Sequence, residues 1–310
     1  MNHPTRPPQG RTSRRGFTLI EMLTVITILS ILMAFLLPAV MRASSNAKLV
    51  QVKTELGSFA AAIATFKQEF GIEPPSRIRL HINAAGWNST DTDTVNSRAL
   101  IGRMWPQFDF TGSGGGAWSS AVTLTGAECL VFFLGGVTDS SGELIGFSRN
   151  PAAPFSNSTG NRLNPFYQFK IDRMIDENSN GFREYRDPLG ATYVTPYIYF
   201  SSYDGSGYPT EMNSGVWRNV DNANITPLPM SRAYYSTVTG DAAANAATSR
   251  PYNPTGYQII CAGFDGRSGP GGAYSKGAPS PLPAWGTFTI LNRDVERDNI
   301  TNFSDGVLVP

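Results

Sequence analysis

Cysteine and histidine are nearly absent from this 310-residue chain, which holds two of each: Cys129 and Cys261, His3 and His81. Two cysteines exclude a disulfide-dense scaffold and the cysteine clusters of structural zinc sites. So little histidine excludes a histidine-rich metal centre. A hydrolase triad would have to use His81, which lies in a stretch with no catalytic pattern around it. Charge is sparse as well, 16% of residues with a net of +1. That near-zero sum hides an asymmetry. Arg6, Arg11, Arg14 and Arg15 crowd the first 16 residues, where no acidic residue occurs. The remainder is mildly acidic and shows no basic patch of the kind that binds nucleic acid. Glycine and proline, by contrast, are plentiful at 31 and 22, which predicts many turns and short strands in place of a helical bundle.

What is most conspicuously present is one long apolar run. From Phe17 to Val40 the chain reads FTLIEMLTVITILSILMAFLLPAV, 24 residues with Glu21 as the single ionisable group. As a helix it would be about 36 Å long, enough to cross a hydrocarbon core of about 30 Å. The arginines on its N-terminal side place Met1 to Gly16 in the cytoplasm and send the rest outward. A cleaved secretory signal is the competing reading, since AVMRASSNAK after Leu37-Pro38 offers small residues. The run is too long for a signal core, however, and the segment beyond it continues as a patterned helix. Pro38 lies inside that helix, removes a backbone donor and predicts a kink or local unwinding.

The continuation is amphipathic. Leu49, Val52, Leu56, Phe59, Ile63, Phe66 and Phe70 recur every three or four residues on one helical face, with Lys53, Glu55 and Lys67 off it. Gly71 is the stop signal, and Pro74-Pro75 forbids further regular helix. The large domain that follows is the expected partner of the stripe. Residues 76–125 read as irregular, with a flexible loop at 112–118. Thr125 to Gly136 reads as a short buried helix: Thr125 and Glu128 form a capping-box pattern, and Gly135-Gly136 ends it. A polar, proline-containing loop spans about 146–165. Strand candidates follow at 192–200, 257–264 and 286–291, the first with a period of two. The fold class is therefore α+β: a long N-terminal helix packed on a small antiparallel sheet, with large loop insertions. Cys129 falls in a buried helix pattern and Cys261 in a buried strand pattern. A disulfide between them and two packed thiols remain equally open.

Arg14-Arg15-Gly16-Phe17-Thr18-Leu19-Ile20-Glu21, followed by an apolar helix containing Pro38, resembles the class III leader of type IV pilins and type II secretion pseudopilins. The resemblance implies a cleaved leader at 1–16, a retained transmembrane helix at 17–41, an amphipathic helix at 42–71 and a globular pilin-like domain at 72–310. It implies a filament subunit and not an enzyme, the substrate of a prepilin peptidase and N-methyltransferase that act at Gly16 and Phe17. Glu21 is expected to pair with the amino group of a neighbouring Phe17. The expected partners are further copies of this chain, other pilins or pseudopilins, an inner-membrane assembly platform and the lipid bilayer. The location implied is the inner membrane, with the C-terminal domain periplasmic or extracellular.

A weaker likeness lies further on. Asp187-Pro188-Leu189-Gly190, Pro196-Tyr197-Ile198-Tyr199 and Ala262-Gly263-Phe264-Asp265-Gly266 are similar to blocks of the major pseudopilin, with Leu189 and Phe264 departing from the usual Trp and Ala. This implies a type II-like secretion filament, the alternatives being a surface pilin or minor pilin for adhesion, motility or DNA uptake and, third, a membrane-tethered enzyme or binding module. It also implies a Ca²⁺ site, for which Asp265 is the direct match, Asp298 the better second ligand and Asp294 its rival. Calcium takes six to eight oxygen ligands from such acidic, turn-rich loops. The first expected outcome concerns processing: mass spectrometry of the mature N-terminal peptide finds N-methylated Phe17. Gly16→Ala reduces cleavage, whereas a chain beginning near Arg42 would mean ordinary signal cleavage instead.

Overall fold

A computed structural model describes residues 16–158, 160–189, 195–209, 211–213, 216–218, 221, 232–236, 250–272, 274 and 293–308. The chain divides into two compact units at Lys48–Leu49. Helix α1 spans Leu19–Phe70 and contributes to both. In the first unit every residue from Gly16 to Lys48 is exposed, and this stretch is the one among the described residues long and apolar enough to cross a membrane. The expected unwinding at Pro38 is not found: the helix runs through it without interruption. Proline costs an interior helix one hydrogen bond and a steric clash, and here the helical turns on both sides hold regardless.

The second unit begins with the amphipathic half of α1. Val52, Leu56, Phe59, Ala62, Ile63 and Phe66 are buried, the stripe expected from the spacing. Gly71 ends the helix with φ +74° and its N–H bonded to the Lys67 carbonyl at 2.8 Å. Beyond it the expectation of irregular chain fails. Residues 76–125 contain β1 (Ile78–Leu80), α2 (Ala84–Trp87), α3 (Thr92–Met104) and β2 (Val122–Leu124), and β1 pairs antiparallel with β2. Helix α3 escaped notice because its buried face is Thr94, Ser97, Ile101 and Met104, half of it polar, so no apolar period marks it. Its N-cap was legible: Asp91 accepts from Thr94 N–H at 3.0 Å, a standard capping bond. The glycines at 112–116 are not a free loop. The Gly114 carbonyl accepts from Phe155 N–H at 2.9 Å, and Phe155 is buried in the main core.

Helix α4 (Gly126–Gly135) is buried along its whole length and carries the expected capping box. Gly136 caps its end at φ +85°, and a Cβ there would stand 2.2 Å from the Gly146 backbone, so no other residue fits. The loop at 146–165 is folded onto itself by Arg162, which donates to the carbonyls of Ile145, Gly146, Ser156 and Ser158.

Further strands follow along the chain: β3 (Met174–Ile175), β4 (Glu184–Tyr185), β5 (Ile198–Ser201) and β6 (Glu211–Asn213). Then come β7 (Val216–Arg218), β8 (Tyr257–Cys261) and β9 (Ile300–Thr301). The central sheet is antiparallel in the order β5-β8-β9, with Tyr199 opposite Ile259 and Ile198 opposite Ile260. Of the strand expected at 192–200, residues 192–194 lie outside the described residues; among the described ones β5 begins at Ile198, and Pro196, with no N–H for the ladder, makes only an isolated bridge to Arg186. Residues 286–291 lie outside the described residues. The sheet is buried on both sides. Tyr199, Ile259 and Cys261 join the α1 stripe in one core, whereas Ile198, Phe200 and Ile260 join a second core with Tyr208 and Tyr234. The α+β expectation of a helix on a small antiparallel sheet holds.

Phe59 is wholly buried among the rings of Tyr167, Phe169, Tyr185 and Tyr197, with centroids 4.6–6.2 Å away. One helical turn earlier, Glu55 takes both guanidinium nitrogens of Arg173 and the Tyr197 hydroxyl, the latter at 2.7 Å. Arg173 also lies 4.3 Å over the Tyr185 ring. Burial opposes the charge on Arg173, and Glu55 more than restores it, so the guanidinium pKa stands above its ordinary value. Removing one partner of a buried pair strands the other charge, at a cost of about 3–5 kcal/mol. Glu55→Ala is therefore expected to lower the unfolding free energy by that order in denaturant titration. A double change that removes Arg173 as well costs less than the two single effects summed.

Candidate functional site

Three of the residues expected to act in processing and assembly, Gly16, Phe17 and Glu21, lie at or just before the start of α1, and the fourth, Pro38, lies inside it. Gly16 is exposed, and a Cβ placed on it would meet nothing within 4 Å; the fold itself makes no demand for glycine there. Phe17 is 79% exposed. Glu21 has a local partner that the sequence reading missed. Its Oε2 accepts from the Thr18 backbone N–H at 2.8 Å and the Thr18 hydroxyl at 2.9 Å, and the Thr18 hydroxyl accepts in turn from Glu21 N–H at 3.3 Å. This is a capping box, and Thr-x-x-Glu was the available signal. Further along, Thr24, Thr27 and Ser30 donate to the carbonyls of Ile20, Leu23 and Ile26 at 2.7–2.8 Å. Every hydroxyl between Thr18 and Ser30 is thereby satisfied inside the helix, as a segment in hydrocarbon requires.

The residues matched by the prokaryotic N-terminal methylation motif family are 11–37, which begin in the arginine-rich N-terminal segment and end inside this exposed apolar helix. The chain carries the N-terminus of the type IV pilin and pseudopilin superfamily. Over 57 residues it is 40% identical to the type II secretion system core protein G of Pseudomonas aeruginosa. That match covers 18% of this chain, and the chain spans 40% of the length of that relative. No solved structure matches it. The pilin-type motif and the apolar helix together fit a single-pass, membrane-anchored protein.

The C-terminal turn brings together two of the three aspartates named for calcium. Asp298 Oδ2 accepts from Phe264 N–H at 2.6 Å and Asp265 N–H at 3.0 Å, and Asp265 Oδ1 accepts from Arg267 N–H at 2.7 Å. Burial raises the pKa of both carboxyls, and the charge of Asp298 raises Asp265 further. The side chain of Asp294 lies outside the described residues. Among the described residues no three His, Cys, Asp or Glu side chains converge as a metal-ligand group.

The remaining candidates resolve as structure. Cys129 and Cys261 are both buried free thiols, each with its pKa pushed up by burial, which makes them unreactive. The disulfide alternative falls away. His81 is buried, its Nε2 2.8 Å from the Thr94 hydroxyl and its ring edge-on to Trp87. It holds β1 to α3.

The geometry at Asp298 yields a direct expectation. Asp298→Ala removes two hydrogen bonds to backbone N–H groups at an exposed turn, a loss of about 0.5–1.5 kcal/mol each. Denaturant unfolding in chelator should register it, with Asp265→Ala, which frees only one N–H, affected less.

Proposed function

We propose that this chain is a structural subunit of a membrane-anchored helical filament, a pseudopilin of a type II-like protein secretion system. The observation that carries this reading is the pilin-type motif at residues 11–37 set on an apolar helix exposed along its whole first unit. The likeness to a protein named as a core component of type II secretion supports the secretion reading over a surface pilin. Two buried free thiols also favour it, since many surface pilins close their domain with a disulfide-bounded loop.

In this reading a prepilin peptidase cuts between Gly16 and Phe17 on the cytoplasmic face, and the new amino terminus at Phe17 is methylated. The helix stays in the inner membrane with the second unit beyond it. Copies then associate through their apolar segments, drawn in by an assembly platform. A carboxylate in hydrocarbon costs about 2.5–3.5 kcal/mol. Glu21 offsets this by meeting the protonated amino group of a neighbouring Phe17, which also sets the axial register between helices. At the other end of the chain, Asp265 and Asp298 bind Ca²⁺ and brace the C-terminal turn.

Glu21→Leu and Glu21→Gln separate the charge from the cap, because glutamine still completes a capping box. Both variants should insert and be cleaved, and both should give few filaments on overexpression. Wild-type filament yield from Glu21→Gln would sink the charge-pairing role. Deleting the gene tests the wider reading. Loss of secreted proteins with surface fibres intact supports secretion, and the reverse pattern points to a surface pilin.

A further inference from the structure

Two carboxylates are sealed beneath the loop that joins β3 to β4. Glu128 on α4 is fully buried and Glu184 on β4 is 5% exposed. Among the described residues neither forms an ion pair. Glu128 is rich in donors. Its Oε2 accepts from the Thr125 N–H and hydroxyl at 2.6 and 2.8 Å, and its Oε1 from the Nδ2 groups of Asn178 and Asn180 at 2.9 and 2.5 Å. Glu184 is poor in them. From other described residues it accepts a single bond, at 3.2 Å, from Glu177 N–H within the loop. A buried carboxylate so thinly satisfied is costly unless it takes a proton or a positive charge meets it.

The loop above supplies oxygen donors at alternate positions. Asp176, Asn178 and Asn180, then Gly181, then Phe182 follow the order in which calcium loops present their ligands. In that order side chains stand first, third and fifth, a glycine sixth for the sharp turn, and a backbone carbonyl seventh. The turn is already formed. Asp176 accepts from Asn180 and Gly181 N–H at 3.1 and 3.0 Å, and Asn180 Oδ1 from Phe182 N–H at 2.8 Å. Gly181 has φ +88°. The twelfth position, where such loops carry their last carboxylate, is Asp187. It is spent elsewhere, accepting from Leu189 N–H at 2.7 Å beside Cys261. Glu184, the ninth residue, and Glu128 from outside the loop bring the negative charge in its place. By holding both Nδ2 groups, Glu128 leaves the Oδ1 atoms of Asn178 and Asn180 on the loop side. A cavity of about 540 Å³ flanks the loop, lined there by Ser179, Asn180, Gly181, Phe182 and Arg183.

We propose that residues 176–184 form a calcium site, with Asp176, Asn178, Asn180, the Phe182 carbonyl and Glu184 as ligands. Glu128 orients the two amides from beneath, the part that hydrogen-bonded partners of metal ligands commonly take. Only two of the five ligands are carboxylates. Mixed carboxylate, amide and carbonyl oxygens on a turn suit Ca²⁺, whereas Mg²⁺ demands a tighter octahedron and keeps its waters. The site is distinct from the Asp265–Asp298 turn and does not rest on the filament reading.

Isothermal titration of Ca²⁺ into the full-length protein in detergent tests it, with Asp176→Asn, Glu184→Gln and Asp265→Ala alongside wild type. Melting in chelator verifies that each variant is folded, and Asp176, on the loop surface, is the change least able to disturb the core. The expected result is a calcium event in wild type and Asp265→Ala that weakens about 10–100-fold in Asp176→Asn and Glu184→Gln and is absent with Mg²⁺. No binding at millimolar Ca²⁺ would overturn the proposal. So would a titration in which both loop variants keep every calcium event of wild type at full affinity, or in which Asp265→Ala loses all calcium binding, which would place the ion at the C-terminal turn.

Discussion

The second unit is organised around one requirement: the apolar face of α1 from Val52 to Phe66 has to be taken out of water. Each large side chain on that face stabilises the fold by roughly 1.5–3 kcal/mol when fully buried. The partners that cover it are mainly aromatic. Around Phe59 and Phe66 the rings of Tyr167, Phe166, Phe133, Tyr185 and Tyr197 meet edge-on or tilted, the arrangement that ring quadrupoles favour. These rings come from α4, from the loop after it, from strand β4 and from the residue just before β5. The helix therefore acts as the common wall against which chain segments far apart in sequence are gathered.

Polar groups pin that wall at chosen points. Glu55 and Arg173 fix the helix to the β3–β4 hairpin, while the Tyr199 hydroxyl donates to the Pro74 carbonyl at 2.6 Å just past the helix end. Ser76 then donates to Asp221 at 2.6 Å and accepts from Ser201 N–H at 2.9 Å. Burial pushes the Asp221 carboxyl up to about 7. The same economy governs the first unit, where side-chain hydroxyls bond back to helix carbonyls and Thr18 and Glu21 close the helix start. These polar groups are met by specific partners, as the cost of leaving one unmet requires, although Glu73 Oε2, Trp118 Nε1 and Asp221 Oδ1 are buried without a hydrogen bond.

Hydrophobic packing does not explain the buried carboxylates Glu128 and Glu184. Glu128 ends in a capping box, a helix-start device that elsewhere sits at the surface, and here the whole of α4 is interior. Placing it inside forces the chain to bring donors to it, and Asn178 and Asn180 arrive from fifty residues away. Helix capping and loop structure are thereby joined at a single carboxylate.

The sequence by itself determined the elements whose signals are local. The basic leader, the apolar span, the three-and-four spacing of the stripe, the Gly71 stop and the Thr125–Glu128 box each depend on near neighbours, so they are legible in one dimension. The central sheet was half visible, because the alternation around Tyr197 to Phe200 marks a strand but cannot say that both faces are covered. Only the tertiary structure decided what depends on distant partners. Helix α3 hides behind a polar face because Ser97 accepts from Arg79 N–H at 2.7 Å and Thr94 meets His81. The two cysteines stay apart because one lies under β2 and the other beside Asp187. The pairing of Asp298 with the turn at Phe264–Asp265, and of Glu128 with Asn178 and Asn180, joins residues more than thirty positions apart. No local pattern encodes such pairings, since long-range burial and hydrogen bonding are settled only when the whole core closes.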